Sequence, residues 1–228
     1  MNYLSDSLLA AVVLIFSFNR EVQLAVWTSL YTATVAIIVA AVFGVPVGLW
    51  LGLKRFRGRR LLITLLNTLM AMPTVVIGLV LFGLFSRQGP LGEFGLLFTP
   101  IAMIAGQTVL AIPIVANYVL ACVNGADQRV IDTARTLGAT QFQASIQLIK
   151  EIRFGVMAAL IAGFGRVIGE VGVAMMLGGN IRGSTRTMTT AIALETSKGE
   201  FVFGLSLGIV LLCVALIVNL FLNMLQQR

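Results

Sequence analysis

Arg166 and Glu170 are the two charged residues of an otherwise apolar stretch, residues 154–178. They lie four residues apart, so on a helix they share one face and can form an ion pair. Ionisable side chains in apolar surroundings are costly and usually face a protein interior or a wet cavity. The spacing therefore predicts an ion pair. It leaves open whether the pair holds neighbouring helices together or gates a path through the protein.

Residues 178–190 carry a dense set of hydrogen-bond donors next to this stretch. The set consists of Asn180, Arg182, Ser184, Thr185, Arg186, Thr187, Thr189 and Thr190, interspersed with glycines. Arginines, hydroxyls and backbone N–H groups exposed by glycine are the donors that a tetrahedral divalent oxyanion needs. A polar surface loop has a similar composition. The cluster is therefore a candidate anion site, with an ordinary polar loop as the alternative.

The elements that position these residues are predicted to be membrane helices. The chain of 228 residues is 58% hydrophobic and 11% charged, whereas soluble domains have roughly 25% charged residues. Charge-free runs cover residues 22–53, 61–86, 94–126 and 201–227, and each exceeds the ~20 residues that cross a bilayer as a helix. Together with residues 154–178 they predict an all-α polytopic membrane protein with about five transmembrane helices.

The N-terminal residues 1–21 contain a shorter apolar run. No basic residue precedes it and no small-residue cleavage site follows it, which argues against a signal peptide. We expect Tyr3–Phe18 to form a helix at the membrane interface, and a short additional span is the alternative.

The distribution of basic residues predicts the orientation. Five Lys and Arg residues lie in the seven-residue connection 54–60, and such loops are cytoplasmic under the positive-inside rule. Alternating the spans from there puts ten Lys and Arg inside and five outside, with Arg166 in the membrane. We therefore expect the N-terminus outside and the C-terminus in the cytoplasm. The net charge of +7 then needs no nucleic-acid partner.

Several absences restrict the chemistry. The chain has no His, which excludes His-ligated metal or haem and His proton relays. Cys122 and Cys213 lie in or beside apolar spans, where a Cys is usually a small buried hydrophobe. No G-x-x-x-x-G-K-[ST] motif occurs, so an ATP-driven step would need a partner that binds ATP and Mg. We assign no catalytic residue, metal or cofactor to this chain.

Residues 124–153 are predicted to form two short helices around Gly138. Thr140 and Gln143 have the spacing of a capping box that begins the second helix. Apolar side chains recur at helical spacing at Val130, Ala134 and Leu137 and then at Phe142, Ile146 and Ile149. An apolar face of this kind must be buried. A cytoplasmic partner would cover it, and the membrane surface is the alternative.

The run Asp132-Thr133-Ala134-x-x-x-Gly138 resembles the EAA motif of binding-protein-dependent ABC importer permeases, with Asp in place of Glu and Thr in place of the first Ala. In that family a helix-turn-helix inserts into a groove of the ATPase. The resemblance implies that the loop 124–153 couples this chain to an ATPase. The coupling residues would be Asp132, Thr133, Ala134, Arg135, Gly138 and Ala139.

The run 163–172 and the following residues 178–199 are similar to the permeases for molybdate, tungstate and sulfate, and look most like the tungstate type. Residues 73–78 and 89–92 agree, and the resemblance covers roughly residues 22–222. It implies a type I ABC importer permease fold with a transmembrane domain over 22–224. The path or gate would include Arg166, Glu170, Asn180, Arg182, Thr185, Arg186 and Thr187.

The same resemblance implies an assembly in the cell membrane. It comprises two copies of this chain, two ATPase subunits and an extracytoplasmic binding protein. The chain would form the path and would not be an enzyme. A molybdate or sulfate permease is the first alternative. An ion-coupled secondary carrier and a non-transporting scaffold are the others, and the lack of His and of scattered acids in the spans argues against a proton relay.

Overall fold

The computed structural model describes residues 3–17, 19–127 and 129–226, and within these ranges the chain contains helices and no strand. The helices are α1 (Tyr3–Phe16), α2 (Arg20–Leu53), α3 (Arg59–Met70), α4 (Thr74–Phe85), α5 (Pro100–Gly125), α6 (Arg129–Thr136), α7 (Gln141–Glu151), α8 (Arg153–Ile168), α9 (Gly172–Gly178), α10 (Met188–Ser197) and α11 (Phe201–Gln226). A short 3-10 turn, Gly92–Phe94, precedes α5. The all-α prediction is confirmed.

Three helices are long and apolar enough to cross a membrane, namely α2, α5 and α11. The pairs α3 with α4 and α8 with α9 meet the same criterion when each pair is taken as one bent span. By length and composition, the described part of the chain therefore has up to five spans, in agreement with the predicted number.

The second and fourth spans, predicted within residues 61–86 and 154–178, are each broken into two helices. α3 and α4 meet at an angle of 94°, and α8 and α9 meet at 60°. Pro73 explains the first break, because it has no backbone N–H and disfavours helical geometry at the preceding residue. Gly169 and Gly172 flank the second break, and glycine is among the weakest helix formers.

The most extensive helix contact joins α2 to α5. Gly44, Gly48 and Gly52 lie four residues apart on the face of α2 that meets α5. A Cβ on Gly48 would lie 2.5 Å from the Ala116 carbonyl oxygen and 2.8 Å from the Val119 Cβ. Small residues at this spacing allow two membrane helices to approach closely. The pair therefore forms the closely packed centre of the bundle.

Two apolar clusters hold the remaining helices to this centre. The larger one lies where α2, α5, α8, α10 and α11 meet, and its buried residues include Ala36, Val115, Val167, Met188 and Leu207. The smaller one packs α4 and α9 against α5 through Ile77, Phe85, Leu110, Val173 and Leu177. Both broken spans are thus anchored to the unbroken α5.

The N-terminal helix α1 packs against α11. Ala11 is fully buried, whereas Leu9, Val13 and Phe16 are exposed. The helix has 14 residues, fewer than the ~20 that cross a bilayer. Residues 1, 2 and 18 of the predicted N-terminal segment lie outside the described residues. An interfacial position and a short span both remain predictions for this helix.

Candidate functional site

The ion pair predicted from the sequence is present, with Arg166 Nη1 lying 2.6 Å from Glu170 Oε2. Glu170 comes after the end of α8, so it lies in the break and not on the continuous helix face that was predicted. Its Oε1 accepts hydrogen bonds from the backbone N–H groups of Gly172 at 2.8 Å and Val173 at 3.4 Å. The Glu170 carboxylate therefore joins the two halves of the bent span.

The two partners differ in exposure. The side chain of Glu170 is 3% exposed and that of Arg166 is 48% exposed. Beside them, a Cβ on Gly172 would lie 2.9 Å from Thr74 Oγ1 at the start of α4. The breaks of the two bent spans are therefore neighbours, and the exposed part of Arg166 lies next to them.

The predicted anion cluster forms a buried hydrogen-bond network. The Thr190 hydroxyl donates to Asn180 Oδ1 at 2.9 Å, and the Asn180 amide donates to the Thr190 carbonyl at 3.4 Å. The Thr185 hydroxyl donates to the Gly178 carbonyl and accepts from the N–H of Ile181 at 3.0 Å. These hydroxyls hold the loop together within one copy of the chain, and their contact with an anion stays a prediction.

Sequence analysis missed the helix α10, which begins at Met188, at the end of the segment 178–190, and continues to Ser197. Thr187 and Thr190 form a capping box at its start, and Thr187-x-x-Thr190 was the signal that could have revealed it. Ser29 of α2 accepts a hydrogen bond from the Met188 N–H at 2.8 Å. Thr189 Oγ1 donates to the Glu170 carbonyl at 2.9 Å. The loop network and the ion pair are thus directly connected.

The two arginines of this loop have different surroundings. Arg186 is 7% exposed, and its Nη1 lies 3.3 Å from Glu195 Oε1. Lys198 contacts the same glutamate oxygen at 3.3 Å. Arg182 is exposed and lies 3.1 Å from Glu21 of α2. The structure therefore ties the loop to the N-terminal end of α2 and to α10 by ion pairs.

A polar face of α3 is a further candidate that sequence analysis did not single out. α3 has no buried residue, and Arg60, Thr64 and Asn67 follow the i, i+4, i+7 spacing of one helix face. Asn117 of α5 hydrogen-bonds to Asn67. Polar residues at membrane depth usually face a bundle interior or a wet cavity. The spacing of Thr64 and Asn67 within the charge-free run 61–86, in line with Arg60 just before it, was the available signal.

The predicted helix-turn-helix is confirmed. α6 and α7 flank Gly138, whose φ of +88° lies in the left-handed region that favours glycine. The Ala139 N–H donates to the Ala134 carbonyl at 2.9 Å. Thr140 and Gln143 form the predicted capping box. The proposed coupling residues Asp132, Thr133, Ala134, Arg135, Gly138 and Ala139 all lie on α6 and this turn.

The predicted apolar face of α7 is not the face that the chain buries. Ala144 and Leu148 are buried, and Leu148 packs with Val123 and Ile152. Phe142 remains 74% exposed and Leu137, at the end of α6, 83% exposed. The buried positions lie between those of the predicted stripe because α7 packs its other side against the ends of α5 and α8. The tip of the hairpin therefore presents two large apolar side chains outward.

Arg59 shows which segments share an end of the bundle. Its Nε donates to the Leu51 carbonyl at 2.6 Å, and its Nη2 donates to Asn124 Oδ1 at 3.2 Å. The basic connection 54–60 therefore lies beside the C-terminal end of α5, from which the α6–α7 hairpin continues. The hairpin and the basic connection are on the same side, as predicted.

This arrangement of broken and unbroken helices, with a helical hairpin at one end, is the fold of type I ABC importer permeases. The MetNI methionine ABC transporter in an inward-facing conformation superposes with a TM-score of 0.75, over 94% of this chain and 96% of that chain, at 20% identity. Residues 44–228 match the family described as binding-protein-dependent transport system inner membrane component. The chain belongs to this family, so it is an integral membrane transporter permease and not an enzyme.

Relatives of higher identity extend over most or all of the chain. A probable anion ABC transporter permease protein of Haloferax volcanii is 42% identical over 84% of each chain. The tungstate uptake system permease proteins TupB of Peptoclostridium acidaminophilum and Campylobacter jejuni are 35% and 37% identical, over 100% of this chain and 100% and 95% of theirs. The sulfate transport system permease protein CysT of Escherichia coli is 29% identical, over 92% of this chain and 78% of its own.

Proposed function

We propose that this chain is the permease subunit of an ATP-driven importer for an inorganic oxyanion, and that tungstate is its substrate. The observation that carries the proposal is the similarity to two tungstate uptake permeases over the whole chain. The sulfate permease is a more distant relative. Molybdate or sulfate, which are also tetrahedral dianions, is therefore the second candidate.

The path forms between two copies of this chain. In the described part of one copy, Arg60, Thr64 and Asn67 on the polar face of α3 remain exposed, and so does about half of the Arg166 side chain. Polar groups at this depth need a protein or water environment, and a second copy facing them would enclose a polar path. Arg166 and Glu170 gate this path at the break between α8 and α9, because a change in the bend angle alters the distance between them.

The α6–α7 hairpin docks on the ATPase subunits. Leu137 and Phe142 enter a groove of the ATPase, and Gly138 allows the turn to approach it closely. Leu148 and Ile152 pack against Val123 at the end of α5, so a displacement of the hairpin moves α8, which carries Arg166. ATP-driven closure of the ATPases is in this way transmitted to the gate. An extracytoplasmic binding protein delivers the anion at the opposite end.

A proton-coupled carrier is less well supported. Such a carrier needs side chains that bind and release protons along the path. The chain has no His, and the Glu170 carboxylate is engaged by Arg166 and by two backbone N–H groups. Its buried, fully partnered position suits a structural gate better than a proton relay.

Uptake by the complete importer tests the substrate assignment. The permease, its ATPase and its binding protein are reconstituted in proteoliposomes, and uptake of isotopically labelled tungstate is measured with ATP inside and each unlabelled oxyanion in turn as competitor outside. We expect ATP-dependent tungstate uptake that continues in excess sulfate. A non-hydrolysable ATP analogue is the control and should abolish uptake.

The outcomes separate the candidates. If molybdate or sulfate competes as well as unlabelled tungstate does, the tungstate assignment fails and the oxyanion class stands. Uptake that persists without ATP hydrolysis and follows an imposed ion gradient would instead identify a secondary carrier.

A further inference from the structure

A cavity of about 240 Å³ lies between the N-terminal end of α2 and the loop before α10. Its lining residues are Arg20, Glu21, Leu24, Ala25, Arg182, Gly183 and Arg186. Pockets for drug-sized ligands occupy roughly 300–1,000 Å³, so this cavity suits a smaller ligand. Three arginines around a small space indicate that the ligand is an anion.

Arg186 is the most rigidly held of the three arginines. It is 7% exposed, and its Nη1 is fixed by Glu195 at 3.3 Å. Its Nε is buried without a hydrogen-bond partner. A buried donor without an acceptor is costly, and arginine forms strong charge-assisted hydrogen bonds to oxyanions. Arg186 lines the cavity and is held by Glu195, so it contributes a fixed positive charge to it.

The charges around the cavity are unbalanced. The lining residues carry three positive charges, on Arg20, Arg182 and Arg186, and one negative charge, on Glu21. Glu195 and Lys198 are counted with them because Glu195 pairs with both Arg186 and Lys198. Two positive charges remain uncompensated. A single dianion would neutralise this excess, whereas a single carboxylate would leave half of it.

We propose that this cavity is an entry site for a tetrahedral oxyanion dianion, bound by Arg20, Arg182 and Arg186, with Glu21 as a built-in competitor for Arg182. The proposal rests on the proposed function, because the anion is the one that the importer carries. Glu21 Oε1 lies 3.1 Å from Arg182 Nη1, so an arriving anion must displace it. This competition weakens binding and favours release, which a site on a transport path requires.

The test is equilibrium dialysis of the purified permease–ATPase complex, without binding protein, against sodium tungstate, with bound tungsten measured by mass spectrometry. Arg20→Gln and Arg182→Gln should each lower the association constant about tenfold, because each removes a charge-assisted contact. Glu21→Gln should raise it about tenfold, because the competitor loses its charge. Arg87→Gln, at an exposed arginine of the other loop at this end, is the matched control and should leave binding unchanged.

If the unmodified complex binds tungstate too weakly to measure, the Glu21→Gln variant still allows the test, because its association constant is expected to be higher. In this background Arg182→Gln should reverse the gain. Thermal melting and size-exclusion chromatography confirm that each variant is folded and assembled.

Equal tungstate binding by the unmodified complex and the Glu21 and Arg182 variants would overturn the entry site. The entry site would also be overturned if the arginine variants bound tungstate unchanged but associated more weakly with the binding protein. The arginines would then bind a carboxylate of that protein. ATP-driven uptake by the unmodified importer separates the two proposals. If the unmodified importer takes up tungstate and the variants bind tungstate as tightly as it does, only the entry site fails. If the unmodified importer takes up no oxyanion, the proposed function fails.

Discussion

The Glu170 carboxylate satisfies three groups at the break between α8 and α9. It accepts from the Arg166 guanidinium with one oxygen and from the N–H groups of Gly172 and Val173 with the other. The carboxylate thus acts both as a counter-ion and as a cap for α9. Its charge and its capping oxygen can be separated experimentally, because glutamine retains an oxygen acceptor and lacks the charge.

Arg166→Leu is expected to destabilise the permease strongly. It leaves the Glu170 carboxylate buried without its counter-ion, and breaking a buried pair in this way costs about 3–5 kcal/mol. We expect a loss at the lower end of this range because the Arg166 side chain is half-exposed. Arg166→Leu combined with Glu170→Gln should recover part of the loss, because no charge is stranded and the cap is kept. Thermal melting of the detergent-solubilised protein measures both.

Two further variants complete this comparison. Arg166→Leu with Glu170→Leu should recover less than the glutamine combination, because the cap is lost. Arg129→Leu breaks an exposed pair with Asp127 and should change the melting temperature little, since exposed pairs contribute roughly 0–1 kcal/mol. Strictly additive effects of Arg166→Leu and Glu170→Gln would show that the two residues do not interact.

The ion pair could be predicted from residue spacing, but the surroundings of the polar loop could not. Arg166 and Glu170 stand out as the charges of an apolar stretch, and charges there require a partner. The hydroxyls of Thr185 and Thr190 carry no such requirement, since they suit a ligand, a solvent-exposed loop or an internal network equally well. Their partners, the Gly178 carbonyl and Asn180, are decided by the path of the loop in three dimensions.

At the scale of elements, the hairpin of α6 and α7 depends on one turn. Gly138 has a positive φ, and no atom lies within 4 Å of the position of a Cβ there. A Cβ at this position would contact no residue beyond its two chain neighbours. The surface of the hairpin can thus be altered without disturbing the bundle.

Gly138→Leu is expected to leave the permease inserted and folded but uncoupled from the ATPase. The leucine is strained at positive φ by roughly 1–2 kcal/mol, and its bulk prevents close approach of the turn to a groove. ATP-driven uptake and transport-stimulated ATPase activity should both be lost, while the yield of folded permease in membranes stays the same. Assays of both activities in proteoliposomes measure the effect.

Gly58→Leu is the matched control for this variant. Gly58 has a φ of +91° and equally open surroundings, but it lies in the basic connection and not in the hairpin. It should reproduce the backbone strain and retain uptake. Normal uptake by the Gly138 variant would remove the turn from the coupling mechanism.

Helix existence was easier to predict than helix continuity. The apolar runs 61–86 and 154–178 are long enough to span, yet both bend sharply. Pro73 marks the first break by its covalent geometry, so this break could have been predicted from the sequence. The second break lies among several glycines, and which of them interrupts the helix depends on the packing of Gly172 against Thr74 and on the cap that Glu170 provides.

At the scale of the whole molecule, the structure separates two ends of the bundle. One end holds the basic connection, joined by Arg59 to the end of α5, and the α6–α7 hairpin. The other end holds the proposed entry cavity, where Arg182 pairs with Glu21. Which segments share an end is therefore a property of the fold, whereas the orientation of the bundle in the membrane rests on the charge distribution.

Cysteine labelling tests that orientation. Cys122 and Cys213 are first replaced by alanine, and then Arg57→Cys and Gln88→Cys are made separately, because both positions are exposed and lie in connections at opposite ends. We expect a membrane-impermeant maleimide to label Gln88→Cys in intact cells and Arg57→Cys only in inverted vesicles. The reason is that Lys54, Arg55, Arg57, Arg59 and Arg60 are retained on the cytoplasmic side.

Labelling of both variants in detergent is the control for reactivity, and uptake activity of both confirms that the replacements preserve the fold. The reverse pattern at both positions would place the hairpin outside. ATP is hydrolysed in the cytoplasm, so Leu137 and Phe142 could then not dock on an ATPase, and the proposed coupling would fail. The entry cavity would face the cytoplasm at the same time, where an extracytoplasmic binding protein could not deliver an anion to it.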